Sequence, residues 1–356
     1  MPSAIATERL HNQQITSAGL RRPEDVVKWL GAVQAQEYEP AKWALGLRMR
    51  DGALEREVER AFEEGRILRT HVMRPTWHFV TPADIRWLTE LTAPRVQRLM
   101  ATYQRQLELD ADLLVRATGI VERALADRRH LTRNELGEHL RRKGHALNGI
   151  RLAHVAMYAE LERVICSGPR RGRQFTYALL AERAPKAERV SRDEALMTLA
   201  QRYFASHGPA TIRDFVWWSG LVTADAKRGL EMNKARCIEH DGQTYWTIGP
   251  RRGARRDRRV HLLPIYDEYL VAYRDREAVP HRPTLAAVRS NDPVSFRHSL
   301  VIGGQVAGTW RTTQRSSAVM MEAVALRQLT GREQRGLREA VRLYERFLCT
   351  TVEVVA

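Results

Sequence analysis

The chain switches between two hydrophobic rhythms, and the switches mark its elements. Val26, Val27, Trp29, Leu30 and Val33 recur at helical spacing, so a helix runs into the stretch GAVQAQEYEPAKWALGL that starts at Gly31. Before it, residues 4–19 read as a short helix and Pro23 opens the next at its first turn. After it, residues 54–64 put Leu54, Val58, Ala61 and Phe62 on one face and charges on the other, and Gly65 stops them. Residues 67–80, ILRTHVMRPTWHFV, are rich in β-branched and aromatic side chains. The interruption at Arg74-Pro75 predicts a two-stranded ribbon there. Helices over residues 82–107 bridge to the next part.

Helices followed by a ribbon return twice. Residues 110–127 are helical, Thr132 and Glu135 form a capping box for the next helix, and residues 150–164 make a third. The ribbon over residues 165–180 carries Arg170, Arg171 and Arg173 at its tip. Residues 193–206 are helical again, Thr211 and Asp214 repeat the Thr-x-x-acid start, and residues 224–233 follow. Residues 237–248 form a hairpin turning at Asp241-Gly242. The expected fold is α+β, mainly α, with three diverged winged helix-turn-helix units. They span residues 1–108, 109–190 and 191–250, and a C-terminal β segment with a closing helix fills 251–356. In that segment Gly303-Gly304 sits between Ser299-Leu300-Val301-Ile302 and a strand opening at Gln305, a hairpin signal, and residues 331–347 close the chain as a helix.

Composition adds a partner. Of 356 residues, 58 are Lys or Arg and 42 are Asp or Glu, a net charge of +16. That balance suits a polyanion, most simply nucleic acid, although a GC-rich genome also inflates arginine. Tandem units can stack into a curved scaffold whose inner face tracks a duplex, and an arginine-bearing wing tip suits phosphate contact. The three cysteines, Cys166, Cys237 and Cys349, lie far apart with no CxxC pair, which argues for a reducing cytoplasm and against a zinc site. The N-terminus does not read as a signal peptide and no apolar run approaches a membrane span. A monomer without metal or cofactor is expected.

Several residues invite chemistry. Gln34 and Gln36 flank Ala35, and they share a face only if the chain is extended there. Glu39, before Pro40, is biased away from helix. As a triplet the motif has almost no specificity, and two solvated surface glutamines read the same way. The run PRRGARRDRRV holds Arg251, Arg252, Arg255, Arg256, Arg258 and Arg259. It reads equally as a solvated charge run and as a loop that orders on phosphate. Asp267 and Glu268 are adjacent carboxylates, read either as an acid/base pair or as acids paired with arginine. His71, Trp77 and His78 either line a site near the first ribbon or belong to the core.

Taken together these stretches resemble a known family. Gln34-Ala35-Gln36 with Trp43-Ala44-Leu45, then residues 74–82, then Leu262-Leu263-Pro264 with Tyr266-Asp267-Glu268-Tyr269, then Gly308-Thr309-Trp310-Arg311, look like the AlkZ-type winged-helix DNA glycosylases, in order over nearly the whole chain. The resemblance implies a C-shaped scaffold with a basic concave face for double-stranded DNA. It also implies removal of N7-alkylated guanine, and maps the catalytic signature onto Gln34 and Gln36. A related branch has aspartate at the second position. Gln36 points instead to the branch tied to self-resistance against DNA-alkylating natural products, in which bulky adducts and interstrand crosslinks are the lesions. A β-hairpin meets the DNA in this family, with Ile302 to Val306, and in it Gly303, Gly304 and Gln305, the first match and the 251–259 segment the second.

The chemistry is consistent. Alkylation at N7 leaves guanine cationic and already a good leaving group, so what remains is to hold a water and tolerate a cationic sugar. A carboxamide can accept from that water and donate to it without being a strong base. A winged-helix regulator would bind DNA without base release, and a hydrolase driven by Asp267 or Glu268 would not depend on the glutamines.

Overall fold

A computed structural model describes residues 4–50, 53–185, 189–249, 257–274, 298–315 and 318–355. Helices α1 (Ala4–Asn12) and α2 (Pro23–Leu30) come first. The expected helix over 4–19 stops early, and Gln14 turns the chain at φ 62°. Gly31, at φ 86°, ends α2, and the short strand β1 (Val33–Gln34) follows. Helix α3 (Tyr38–Gly46) was not expected, and it makes Glu39 helical. The reason is position: Pro40 falls in the first turn, where a missing N–H costs nothing. Helix α4 (Glu55–Glu63) then leads to β2 (Leu68–Val72) and β3 (Arg74–Val80). These make a three-stranded antiparallel sheet in the order β1-β3-β2. Arg74 and Pro75 lie inside β3, and the ribbon turns at Met73, φ 63°.

One helix, α5 (Ile85–Gln106), crosses to the second unit. There α6 (Ala111–Leu125), β4 (Leu131–Thr132), α7 (Arg133–Arg142) and α8 (Gly149–Leu161) precede β5 (Ile165–Ser167) and β6 (Thr176–Leu179). The Thr132–Glu135 capping box that starts α7 is present. After the short α9 (Leu180–Arg183), the third unit holds α10 (Arg192–Ser206), α11 (Ile212–Ser219) and α12 (Thr223–Glu231). Its hairpin, β7 (Arg236–His240) and β8 (Gln243–Thr247), turns where Asp241 and Gly242 both take positive φ.

The C-terminal part begins with β9 (Val260–Leu263) and the one-turn α13 (Glu268–Val271). Strands β10 (Ser299–Ile302), β11 (Gln305–Gln314) and β12 (Val319–Ala325), helix α14 (Gly331–Leu348) and β13 (Val352–Val355) complete it. The sheet runs β13-β12-β11-β10-β9, with β13 parallel to β12. This sheet shares one core with the N-terminal helices, in which Trp43, Val26 and Phe62 pack with Leu262, Trp310 and Phe347. Trp43 meets Tyr344 edge-on at 4.9 Å, and a Cβ on Gly46 would sit 2.5 Å from Phe347. That shared core fixes α13, and with it Glu268, against the strand that carries Gln34.

Candidate active site

Gly31 decides the local path. Its left-handed backbone lets the chain leave α2 and run extended along β3, with Val33 opposite Phe79 and Gln34 opposite His78. The Ala35 N–H continues the pairing to the Trp77 carbonyl at 2.7 Å, and the Ala35 side chain is buried. Extended backbone is what the two glutamines need to act together. Gln34 is 9% exposed and Gln36 is half-buried.

Both side-chain amides are oriented by donors from β3. Arg74 Nη2 donates to Gln34 Oε1 at 3.2 Å, and the Trp77 backbone N–H donates to Gln36 Oε1 at 3.3 Å. A guanidinium and a backbone N–H only donate, so each partner must face the carbonyl end of its amide. The NH2 ends are thereby turned the other way. Arg69 secures the backbone: its Nε donates to the Ala35 carbonyl at 2.9 Å and its Nη2 to the Gln36 carbonyl at 3.3 Å.

His78 is fully buried beside Gln34. Its Nδ1 lies 2.9 Å from the Thr76 carbonyl, so Nδ1 carries the proton and Nε2 accepts from Arg74 Nη2 at 3.3 Å. Burial and the Arg74 charge push His78 down to about 3. It is a neutral ring that holds Arg74 in place.

Behind the strand sits Glu268, 0% exposed. Its Oε1 accepts the Gln34 backbone N–H at 2.7 Å and its Oε2 accepts Trp218 Nε1–H at 2.9 Å. His207 Nε2 lies 3.5 Å from Oε2. Burial alone would raise Glu268. The hydrogen bond and charge of His207, the Arg74 charge and the Gln34 N–H outweigh it and hold the carboxyl at about 2. Burial pushes His207 itself down. Gln34 therefore stands between a cation at its amide and an ionised, water-free carboxylate at its backbone.

With that geometry in hand, the sequence matches the family described as DNA glycosylase AlkZ-like over residues 27–347. The chain belongs to the AlkZ-like DNA glycosylases. It is 26% identical over 329 residues to a Streptomyces sahachiroi protein named interstrand DNA cross-link repair glycosylase, covering 83% of each chain. The solved structure of Streptomyces sahachiroi DNA glycosylase AlkZ has the same fold, with a TM-score of 0.80 at 20% identity over 99% of this chain and 98% of that one. Enzymes of this family act on N-glycosyl bonds.

The other predicted residues of this glycosylase are placed variously. Asp267 is not in the site. It forms a bidentate ion pair with Arg48, both contacts 2.8 Å and both side chains 0% exposed, and it caps the Tyr269 N–H. His71 pairs with the buried Glu160 and packs against Trp77 with ring centroids 4.4 Å apart and planes tilted by 42°. Arg170 faces inward, bonded to Glu39 at 3.2 Å and Glu59 at 3.4 Å, with its side chain 12% exposed. Arg171 is exposed but tied to Glu135 at 2.6 Å, and Arg173 is exposed. Gly303, Gly304 and Gln305 form a hairpin turn, but it is not an outward tip. Gly304 is buried against α1, where an added Cβ would lie 3.0 Å from Ala6, and Tyr269 donates to its carbonyl at 2.9 Å. Arg251, Arg252, Arg255 and Arg256 lie outside the described residues.

Sequence reasoning missed Arg74, Arg69, His207 and Trp218. Arg69 had a signal: it lies with Thr70 and His71 in a strand, β2, that is buried at every position. Arg74 was read as half of a breaker dipeptide and as part of the 74–82 stretch behind the resemblance, with no role of its own. His207 and Trp218 reach Glu268 from the third unit, and no spacing announces that. Among the described residues, no three His, Cys, Asp or Glu side chains group as metal ligands, and no helix is long and apolar enough to cross a membrane.

Proposed function

We propose that this glycosylase hydrolyses the N-glycosidic bond of N7-alkylated guanine in double-stranded DNA, with bulky or intercalating natural-product adducts as its lesions. The protein would serve self-resistance through base excision. The relative named for cross-link repair extends that reading to interstrand crosslinks. The helix-and-ribbon units act as winged helices along the duplex, and exposed arginines such as Arg173 contact phosphate.

The observation that carries the reading is the pair of anchored amides. Gln34 and Gln36 have their carbonyls held by Arg74 and by the Trp77 N–H. Each carbonyl keeps a second lone pair and each NH2 keeps its donors. A water between them can accept from one amide and donate to the other, which aims its remaining lone pair at the anomeric carbon. No strong base is needed, because the alkylated purine leaves with its bonding electrons and becomes neutral as it goes. The developing positive charge falls on the sugar, where an amide oxygen and the field of Glu268 both favour it. Glu268 is shut off from water, so it stabilises that charge without attacking it.

Undamaged guanine is protected by the same weakness. Its departure as an anion demands protonation or a stronger nucleophile, and the site offers neither. The test is release of N7-methylguanine from duplex DNA by Gln34→Ala and Gln36→Ala proteins. Each is expected to lose on the order of a hundredfold in single-turnover rate. Full rates in both folded variants would remove the assignment.

A further inference from the structure

Next to Gln36 lies a cleft of about 340 Å3 between the first ribbon and the second unit. Trp77, Phe175 and Tyr177 line it with aromatic surface. The Arg69 guanidinium braces two of these rings, 4.3 Å from the Trp77 centroid and 4.6 Å from that of Phe175. Exposed Asn134 and Arg173 stand at its rim. The cleft and the glutamine are built from the same pieces. Trp77 turns its ring to the cleft while its N–H holds Gln36 Oε1, and Arg69 lines the cleft while holding the Gln36 carbonyl.

An aromatic wall set among arginine, asparagine and glutamine side chains has a definite preference. Flat rings stack on it, and oxygen atoms on those rings find guanidinium and amide N–H groups. The volume is near the low end of small-molecule sites, far more than a methyl group fills. We propose that this cleft is a specificity subsite for the part of the lesion that is not guanine: a planar, oxygen-bearing aromatic group attached through N7. The proposal rests on the N7-alkylguanine reading above and names which such adducts the site favours. Its location beside Gln36 lets the aromatic group anchor the lesion while the glycosidic bond lies at the amides.

The experiment compares two duplexes, one with a single N7-methylguanine and one with a single N7-(naphthylmethyl)guanine. Single-turnover release is measured for the unaltered protein and for Asn134→Trp, which fills the cleft from its exposed rim, with melting curves to confirm folding. The quantity read is the ratio of naphthylmethyl to methyl release. It is expected to fall about tenfold or more in Asn134→Trp. Phe175→Leu, which keeps volume but removes a ring, is expected to lower it about threefold, and it carries the test should the first variant not fold. An unchanged ratio overturns the proposal, including the case in which both rates fall together, as they would if the cleft held a flipped base. Release of methylguanine but not of the naphthylmethyl adduct by the unaltered protein overturns it and leaves the N7-guanine reading standing. Release of neither removes both.

Discussion

Asp267 and Glu268 are adjacent in the chain, and they serve two different regions. On one side of the α13 start, Asp267 locks Arg48, and Arg48 Nη2 also donates to Gln13 Oε1 at 2.9 Å. That region joins α1, α3 and the C-terminal sheet. On the other side, Glu268 takes the N–H of Gln34 and the indole of Trp218. Both carboxylates are fully buried and hydrogen-bonded. The difference lies in what each faces: a guanidinium that matches it bidentately, or the backbone of the strand that carries Gln34. Burial and charge alone therefore do not tell the two acids apart, but what each holds in place does.

The comparison breaks first on stability. Asp267→Asn keeps the shape and removes the charge opposite Arg48, leaving a buried guanidinium without its partner. Such a loss costs about 3–5 kcal/mol. Urea unfolding is expected to show it, while base release per folded molecule stays near that of the parent. A large rate loss with little loss of stability would put Asp267 back in the site.

Glu268→Gln is the complementary change. The side-chain carbonyl can still accept the Gln34 N–H, so the strand stays anchored and only the charge is lost. At an effective dielectric of about 20, two unit charges about 8 Å apart interact by about 2 kcal/mol, and a loss of that order is expected. Single-turnover release of N7-methylguanine is expected to fall about thirtyfold, with DNA binding little altered. An unchanged rate would mean that Glu268 only balances Arg74, and the contrast between the two neighbours would vanish.

The same pair shows how far the sequence could be read. Side by side, the two acids look alike, and only tertiary partners far along the chain distinguish them: Arg48 and Gln34 from the N-terminal part, His207 and Trp218 from the third unit. What was legible was local. Capping boxes at Thr132 and Thr211, the Asp241-Gly242 turn and the need for extended backbone at Gln34 follow from rules that act within a few residues. Pro40 misled because its effect depends on its place in a helix, which the sequence does not print. Arg170 and Arg173 are three residues apart between β5 and β6, yet Arg170 is drawn inward by Glu39 and Glu59 from the N-terminal part. The hairpin at Gly303-Gly304 was correct as an element, but its glycines serve close packing on α1, not reach.

The smallest expected effect is on the pH profile, and it tests whether the glutamine side of the comparison does without a titrating base. Glu268 is held at about 2 and His78 is pushed down to about 3. His207 is also lowered, by burial. Through pH 6 to 8 Glu268 stays ionised and His78 stays neutral, so neither of these neighbours of Gln34 changes charge. Below these values the sign is fixed: protonating Glu268 would remove a favourable field, and protonating His78 would set a second cation beside Arg74, so the rate can only fall with acid. Single-turnover release at saturating enzyme is therefore expected to vary by less than about twofold between pH 6 and 8, because chemistry limited by positioned amides has no proton to wait for. A sigmoid with a midpoint near the ordinary histidine value of about 6.5, abolished by His78→Asn, would mean that an imidazole takes a proton from the water. The amide pair would then be a positioning device for a base, and the neutral mechanism would give way to an ordinary one.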